Sequence, residues 1–373
     1  MKKVIAVTFC LFAFYGLSFA KEIKIGVVLP MSGPLGGYGQ ATYKGIKLMN
    51  KLAPKLKNGD NVKIVLLDNK SGKIETANAM QRLVSQDKVS AVIGAVTSSN
   101  TLAITGIADK NKVPLVAPTA TNVLITKGRK YVSRICFTDS FQGTVGAKFA
   151  YSTLKARKVV VITDIKNDYS IGISKVFKHA FKKLGGKILG VEQISQGDTD
   201  FRAILSHVKN LKPDLIYIPF YSSEAALIAL QSKQLGIKAK FLGSDGMASE
   251  PVFFTSGKDA VNGFYSTDLY SNSSPKTTKL SKKFAKAYKK AYHKGVHPFA
   301  AMSADAYNFI VHAMNACKNP ANTVCVNKNI RAIRKFKGVS GIISLDAHGN
   351  AVRSAVINIA ENGKDKYLTT VNP

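Results

Sequence analysis

The sequence predicts an α/β protein built from two lobes with parallel central sheets. Short apolar runs rich in Val, Ile and Leu alternate with segments of helical periodicity along most of the chain, and this alternation is typical of βαβ units. The pattern restarts near residue 138, and 373 residues suffice for two domains of ordinary size. A hydrophobic content of 46% with 20% charged residues argues against a disordered or fibrous chain.

The first half of the chain predicts strands that alternate with helices. Each predicted strand is a short β-rich run, and each helix that follows has apolar residues at a spacing of three to four. The strands are Ile23–Leu29, Val62–Leu67, Val89–Ile93, Val113–Ala117 and Tyr131–Phe137, and the helices are Gln40–Leu52, Ile74–Gln86 and a segment near Asn100–Asp109.

The same alternation predicts the second lobe and a return of the chain. The predicted helices are Ser140–Leu154, Ser170–Leu184, Asp200–Asn210 and Ser223–Leu235, and the strands are Lys158–Thr163, Lys187–Val191, Leu215–Ile218 and Lys240–Leu242. Two long helices follow, near Thr277–Tyr292 and Phe299–Ala316, and then strands at Ile342–Leu345 and Val352–Ala360. Because no long flexible linker separates the halves, several short crossovers are expected to join them.

The N-terminus has the layout of a cleavable signal peptide. Lys2 and Lys3 precede an uncharged run, Val4–Leu17, that is too short to span a membrane as a helix, and small residues at Ser18 and Ala20 fit a cleavage site. Phe9 before Cys10 fits a lipid-attachment motif poorly. We expect residues 1–20 to be removed, and the mature chain to be soluble in the periplasm of a Gram-negative cell.

The net charge of +32 raises the question of a nucleic-acid partner. In an open parallel sheet, ligands bind beyond the carboxyl ends of the strands. The six loops at those ends are rich in Ser, Thr, Tyr and Gly, and their only basic residue is Lys166. Most of the 46 lysines fall instead on the solvated faces of helices. The sequence therefore argues against a nucleic-acid site.

Motifs of catalysis and metal binding are absent or weak. The chain has no G-x-G-x-x-G, Walker A, H-E-x-x-H or G-x-S-x-G motif. His293 and His297 are four residues apart, but Gly295 and Pro298 interrupt any helix that would pair them as ligands. We expect no enzymatic activity, no metal and no cofactor.

Five segments together give a resemblance to a known family: IKIGVVLPMSGPLGGYG, VSAVIGAVTSSNT, KVPLVAPTAT, FLGSDGMAS and GVSGIISLDAHGN. In their order and spacing, they resemble the Leu/Ile/Val-binding proteins, the type I periplasmic solute-binding proteins of branched-chain amino acid ABC transporters. The resemblance covers essentially all of 21–373. It implies two Rossmann-like lobes joined by three crossovers, with lobe 1 formed by 21–137 and 269–348 and lobe 2 by 138–268 and 349–373.

The resemblance also implies a set of ligand-binding residues. It assigns Ser98, Thr119 and Thr121 to the α-carboxylate and α-amine of an amino acid, and a helix N-terminus at Ser98 suits a carboxylate. It assigns Asp245 of the second lobe to the α-ammonium. The aromatic residues that it places around the ligand are Tyr38, Tyr169 and Tyr221.

The cysteines mark a departure from the family. Well-known amino-acid binders carry a disulfide in the first lobe, but Thr97 stands where its second cysteine would be, so Thr97 is a candidate contact of the ligand side chain. From the residues themselves, the turn-rich spacer between Cys317 and Cys325 favours a disulfide there, and Cys136 is expected to be a free buried thiol.

Alternative functions remain open from the sequence. The first is a monomeric receptor that captures a branched-chain or related aliphatic amino acid and delivers it to the membrane permease of an ABC importer. The second is a protein of the same fold that binds an amide, urea or an aromatic carboxylate. An exported enzyme and a binder of nucleic acid or of an envelope polymer are further alternatives. Asp245 favours the first, because an acid suits an α-ammonium and disfavours a bare carboxylate.

Overall fold

The computed structural model describes residues 20–247, 250–274 and 278–373, so most of the predicted signal peptide lies outside the described residues. Its first sheet has five strands, all parallel, in the order β2-β1-β3-β4-β5. These are β1 (Glu22–Leu29), β2 (Asn61–Asp68), β3 (Ala91–Gly94), β4 (Leu115–Ala117) and β5 (Val132–Arg134).

Helices cover both faces of this sheet and form the first lobe with it. One face packs in an apolar core against α2 (Lys73–Ser85) and α3 (Ser98–Asn111). The other face packs against four helices: α1 (Gly36–Leu52), α9 (Lys279–Tyr292), α10 (Pro298–Met314) and α11 (Thr323–Arg331). Nearly all of α10 is buried, which explains its continuous apolar and small-residue sequence.

The second sheet has seven strands in the order β15-β14-β10-β9-β8-β6-β7. Its parallel part consists of β6 (Lys158–Asp164), β7 (Lys187–Ile194), β8 (Leu215–Ile218), β9 (Lys240–Gly243) and β10 (Tyr265–Asp268). Two antiparallel strands, β14 (Ala355–Glu361) and β15 (Lys364–Val371), extend it. The helices of this second lobe are α4 (Asp139–Lys148), α5 (Asp168–Lys183), α6 (Arg202–Leu211), α7 (Ser222–Gln234) and α8 (Pro251–Gly257).

This architecture is the predicted one, two α/β lobes with parallel central sheets, and the chain passes between them three times. The passages lie after β5, after β10 and after a small antiparallel sheet formed by β11 (Phe336–Lys337), β12 (Ile342–Leu345) and β13 (Ala351–Val352). The buried Arg353 joins all three passages, because its guanidinium donates to the carbonyl oxygens of Leu269 at 2.6 Å and Ile135 at 3.4 Å.

Arg353 also explains why the predicted strand Val352–Ala360 is two strands. Val352 pairs with β12 beside the first lobe, and Ala355 begins β14 in the second sheet. Between them the Arg353 side chain turns inward and donates to the Ser340 carbonyl and hydroxyl. The return of the chain to the second lobe therefore follows Val352, rather than beginning at residue 349 as the sequence predicted.

The structure contains one disulfide between described residues, from Cys317 to Cys325, whose Cα atoms are 6.0 Å apart. It connects the turn after α10 with the first turn of α11. Cys136 is a buried thiol, and burial raises its pKa to about 12. Within the described ranges, no helix is long and apolar enough to cross a membrane, and no three His, Cys, Asp or Glu side chains form a metal-binding group.

Candidate functional site

A cavity between the lobes brings all eight predicted ligand-binding residues together. It lies where several parallel strands of both sheets end, which is the expected position of a ligand in such sheets. Its lining consists of Tyr38, Val96, Thr97, Ser98, Thr119, Thr121, Tyr169, Tyr221, Asp245, Gly246 and Phe299.

The first lobe contributes hydroxyl groups and the N-terminus of a helix. After β3 the chain turns through Thr97 into α3, so that Ser98 is the first helical residue and the first N–H groups of the helix lack partners within it. The backbone N–H of Asn122 donates to Ser98 Oγ at 3.2 Å, which fixes the loop after β4 beside the helix.

The hydroxyl groups of the loop after β4 differ in their availability. Thr119 Oγ1 donates to the Val96 carbonyl at 2.8 Å, so this hydroxyl holds the two strand-end loops together. Thr121 Oγ1 is buried and makes no hydrogen bond of ordinary length and angle, but it interacts with the Asp139 carboxyl group and lowers the pKa of that group. A buried hydroxyl without a well-formed hydrogen bond is costly, and Thr121 is therefore a candidate to bond a ligand.

The second lobe contributes an acid and two aromatic residues. Asp245 follows β9 in a short 3₁₀ helix, and it is 3% exposed. Tyr169, at the N-terminus of α5, donates its hydroxyl proton to Asp245 Oδ1 at 2.6 Å and accepts a hydrogen bond from the N–H of Gly246. Tyr221 stacks on Tyr169, with ring centroids 6.0 Å apart.

Burial makes the Asp245 carboxylate dependent on a counter-charge. Loss of solvation raises the pKa of Asp245 to about 6, and the hydrogen bonds from Tyr169 and Gln142 oppose that rise. Among the residues that the structure describes, no Lys, Arg or His side chain forms an ion pair with Asp245. A cationic group of a ligand would supply the missing charge.

Three aromatic rings form one wall of the cavity and connect the lobes. The Tyr38 hydroxyl donates to the Gly246 carbonyl at 2.5 Å and accepts from the N–H of Ser222 at 3.1 Å. Its ring contacts those of Tyr221 and Phe299 at centroid distances of 5.6 and 5.4 Å. The first-lobe residue Tyr38 thus bonds directly to the second lobe across the cleft.

Further contacts at the rim show that the cleft is closed in this structure. Asp168 of α5 accepts hydrogen bonds from Ser99 Oγ at 2.7 Å and Lys73 Nζ at 3.1 Å, both in the first lobe. Partial burial tends to raise the pKa of Asp168, but the hydrogen bonds from Ser99 and Lys73 outweigh it and lower that pKa. The Asn122 side-chain amide also donates to the Asp168 carbonyl.

The sequence missed two residues of this region. Phe299 was predicted only as the start of a helix, and no motif distinguishes an aromatic residue that lines a cavity from one in a core. Asp139 lies just before the predicted start of its helix. It is buried, its carboxyl group interacts with the Thr121 hydroxyl, and its N–H donates to the Thr121 carbonyl at 2.9 Å. Burial raises the pKa of Asp139 to about 8.

In this closed structure the interlobe cavity is about 20 Å³ in volume. A larger cavity, of about 810 Å³, lies beside the second and third crossovers and the N-terminus of α9. It does not contain the strand-end loops, and none of the predicted site residues lines it. The interlobe cavity is the better candidate site because a buried acid, the Thr121 hydroxyl and a helix N-terminus converge there. These groups can bind opposite charges at two ends of a small molecule.

The chain is similar to known binding proteins both in sequence and in fold. The model of a family described as periplasmic binding protein matches residues 22–364. The Leu/Ile/Val-binding protein BraC3 of Rhizobium johnstonii is 30% identical over 288 residues, which make up 76% of this chain and 76% of that protein.

Two solved structures are similar over nearly the whole chain. A leucine-binding protein, LivK, from Thermotoga maritima is 41% identical with a TM-score of 0.91, and the match covers 94% of this chain and 99% of that one. The branched-chain amino acid transporter substrate-binding protein LivJ from Streptococcus pneumoniae, solved in complex with isoleucine, is 34% identical with a TM-score of 0.88. That match covers 95% of this chain and 100% of the other.

Proposed function

Because the chain belongs to the periplasmic binding proteins, and among them to the Leu/Ile/Val-binding family, we propose that it captures a branched-chain or related aliphatic amino acid between its lobes. The receptor delivers this ligand to the membrane permease of an ABC importer. The observation that carries the proposal is the buried Asp245 carboxyl, which lines a cavity that is also lined by a helix N-terminus and by the buried hydroxyl of Thr121.

The first lobe holds the α-carboxylate in the proposed complex. The N-terminus of α3 carries a partial positive charge and free N–H groups, which favour an anion. Ser98 Oγ and Thr121 Oγ1 donate to the carboxylate oxygens, and Thr119 contributes through its backbone. These neutral groups can bond an anion, but they cannot neutralise an ammonium group.

The second lobe holds the α-ammonium. Asp245 accepts a charge-assisted hydrogen bond from it, and Tyr169 keeps the carboxylate oriented. An ammonium group beside Asp245 also relieves the cost of burying the carboxyl group, since the pair replaces an isolated charge. Each end of the zwitterion therefore has its partner on a different lobe, and binding favours the closed cleft.

The remaining lining is mostly apolar and suits an aliphatic side chain, and the closed cavity of about 20 Å³ must widen to admit one. Val96, Phe299 and the rings of Tyr38 and Tyr221 supply apolar surface, while Thr97 adds a methyl group and a hydroxyl. In the proposed function, the ligand is released unchanged, so the protein is a receptor and has no catalytic activity. We further propose that it acts as a monomer in the periplasm, after removal of the signal peptide.

A thermal-shift screen tests this function. The twenty amino acids are compared with simple amides, urea and benzoate at equal concentrations. A ligand at 100 times its dissociation constant stabilises a protein by about 2.7 kcal/mol, so the tightest ligand gives the largest rise in melting temperature. We expect that ligand to be leucine, isoleucine or valine. A larger rise with urea, an amide or benzoate would identify the alternative ligand class and contradict the proposal.

A further inference from the structure

Two neighbouring helices of the first lobe present lysines without a single acid. Residues 30–59, which include α1, contain no Asp or Glu, and residues 269–345, which include α9, contain only Asp305, whose side chain is fully buried. The exposed lysines of these helices and of the turn after α9 are here called the lysine face: Lys44, Lys47, Lys51, Lys279, Lys282, Lys283, Lys286, Lys289, Lys290 and Lys294.

The lysine face extends over both helices because the C-terminal end of α9 contacts α1. The Tyr292 hydroxyl, at the end of α9, donates to the Lys44 carbonyl at 3.3 Å, and Lys44 Nζ lies 5.7 Å from the centre of the Tyr292 ring. Phe284 and Tyr288 direct the opposite side of α9 into the core. The lysines of α9 recur every three to four residues on its outer side, so their charges add along the helix.

No lysine of this face forms an ion pair with any carboxylate of the described residues. The charge is also unevenly distributed over the molecule, since 12 of the 22 acidic residues lie between Asp139 and Asp268 in the second lobe. Like charges at this spacing repel one another and weaken the helix. The repulsion among these unpaired lysines is thus unfavourable for the isolated protein, and an external anionic surface would reduce that repulsion.

The residue type indicates what kind of anion this face fits. Arginine presents a rigid fork for bidentate binding of phosphates, whereas lysine is a strongly hydrated point charge that needs no fixed geometry. The neighbouring segment has two arginines, Arg331 and Arg334, but their guanidinium groups donate to backbone carbonyls of the protein. Lysines on the exposed sides of two helices suit a fluid sheet of headgroups better than the fixed phosphate positions of a nucleic acid.

We propose that the lysine face docks the protein on the surface of a membrane that contains anionic phospholipids. The attraction is electrostatic, because the aromatic side chains of Phe284 and Tyr288 in α9 are buried and cannot insert into lipid. Docking concentrates the receptor at the membrane, where a permease is located. This proposal does not depend on which ligand the cavity binds.

Vesicle co-sedimentation with matched charge-reversal variants tests the proposal. Two kinds of vesicle serve as probes, one of phosphatidylcholine alone and one of phosphatidylcholine with about 30% phosphatidylglycerol. Both are used in about 50 mM salt, where charges are only weakly screened. The test variant is Lys282→Glu/Lys286→Glu/Lys289→Glu. The control variant is Lys175→Glu/Lys182→Glu/Lys183→Glu, which reverses three exposed lysines of α5 in the second lobe and gives the same net charge.

We expect the wild type to bind only the vesicles with phosphatidylglycerol, and to dissociate as salt is raised toward about 0.5 M. The test variant should lose at least about tenfold in vesicle affinity and the control variant less than about twofold. Equal losses in both variants would overturn the proposal, since net charge alone would then explain binding. Tighter binding of the wild type to duplex DNA than to these vesicles would overturn it too. Circular dichroism melting of both variants verifies that they are folded.

Discussion

At the scale of single residues, Asp245 has the least replaceable part in the proposed site. Its carboxyl is buried, it accepts a hydrogen bond from Tyr169, and its charge has no cationic protein partner among the described residues. Asp245→Asn keeps the shape but removes the charge. Breaking one partner of a buried charged pair costs about 3–5 kcal/mol, so we expect the affinity for the best amino acid to fall about 10²–10³-fold or more, as measured by calorimetry.

The pH dependence of amino-acid binding provides a control for the Asp245→Asn prediction. The pKa of Asp245 is raised to about 6 before a ligand cation is present, and only the ionised form neutralises an ammonium group. The amino-acid affinity of the wild type should therefore fall as the pH drops through about 6 and below. The Asp245→Asn variant should not show this loss of affinity at low pH. The Ser98→Ala variant should show it, and should lose only about 1–3 kcal/mol of binding free energy. Wild-type affinity in Asp245→Asn would show that the residue is not the ammonium partner.

Most of the site could be predicted because its polar groups follow strand ends, where the sequence changes abruptly from apolar to Ser, Thr and Gly. The resemblance then assigned Ser98, Thr119, Thr121 and Asp245, and the fold brings them to one cavity. Phe299 and Asp139 were missed for a physical reason. Each lies in the first turn of a helix, and its position near the cleft depends on how distant elements pack rather than on its own neighbours in sequence.

At the scale of elements, the close packing of α1 against α10 fixes the helical layer of the first lobe. A Cβ atom on Gly45 would lie 2.1 Å from the Ala300 carbonyl oxygen and 2.4 Å from Ser303 Oγ. We expect Gly45→Ala to separate the two helices and to lower the free energy of unfolding by about 1–3 kcal/mol, as measured by urea denaturation.

Gly106→Ala is the matched control for this prediction. Gly106 lies in α3, and its Cβ would meet no atom closer than 3.9 Å. Because alanine favours a helix more than glycine does, this variant should be about 0.5–1 kcal/mol more stable than the wild type. A Gly45→Ala variant that gains stability as Gly106→Ala does would contradict the packing account.

The sequence predicted the central strands and long helices well, but not the peripheral elements. α8 and α11 are only seven and nine residues long, and β15 mixes lysine, aspartate and threonine in an exposed edge strand. Such segments take their structure from the element beside them, which for β15 is β14. Local periodicity therefore carries too little information to predict them.

At the scale of the whole molecule, the lobes are joined in two different ways. Arg353 bonds the three crossovers to one another with a buried side chain, so that the hinge is a compact unit. Across the mouth of the cleft, the contacts are polar and involve few side chains, such as those between Asp168 and Ser99 or Lys73. Such exposed contacts are weak. The buried bonds from Tyr38 to Gly246 and Ser222 add to them, and in the proposed complex a ligand that bonds to both lobes would stabilise the closed cleft further.

The most direct test of the central claim is calorimetric titration with leucine and with 4-methylpentanoate, which has the same carbon skeleton without the ammonium group. If Asp245 and the α3 N-terminus bind the two ends of an amino acid, leucine should bind at least about 10²–10³-fold more tightly than 4-methylpentanoate. Equal affinities for the two compounds would contradict the account, since the buried acid of the second lobe would then have no part in recognition.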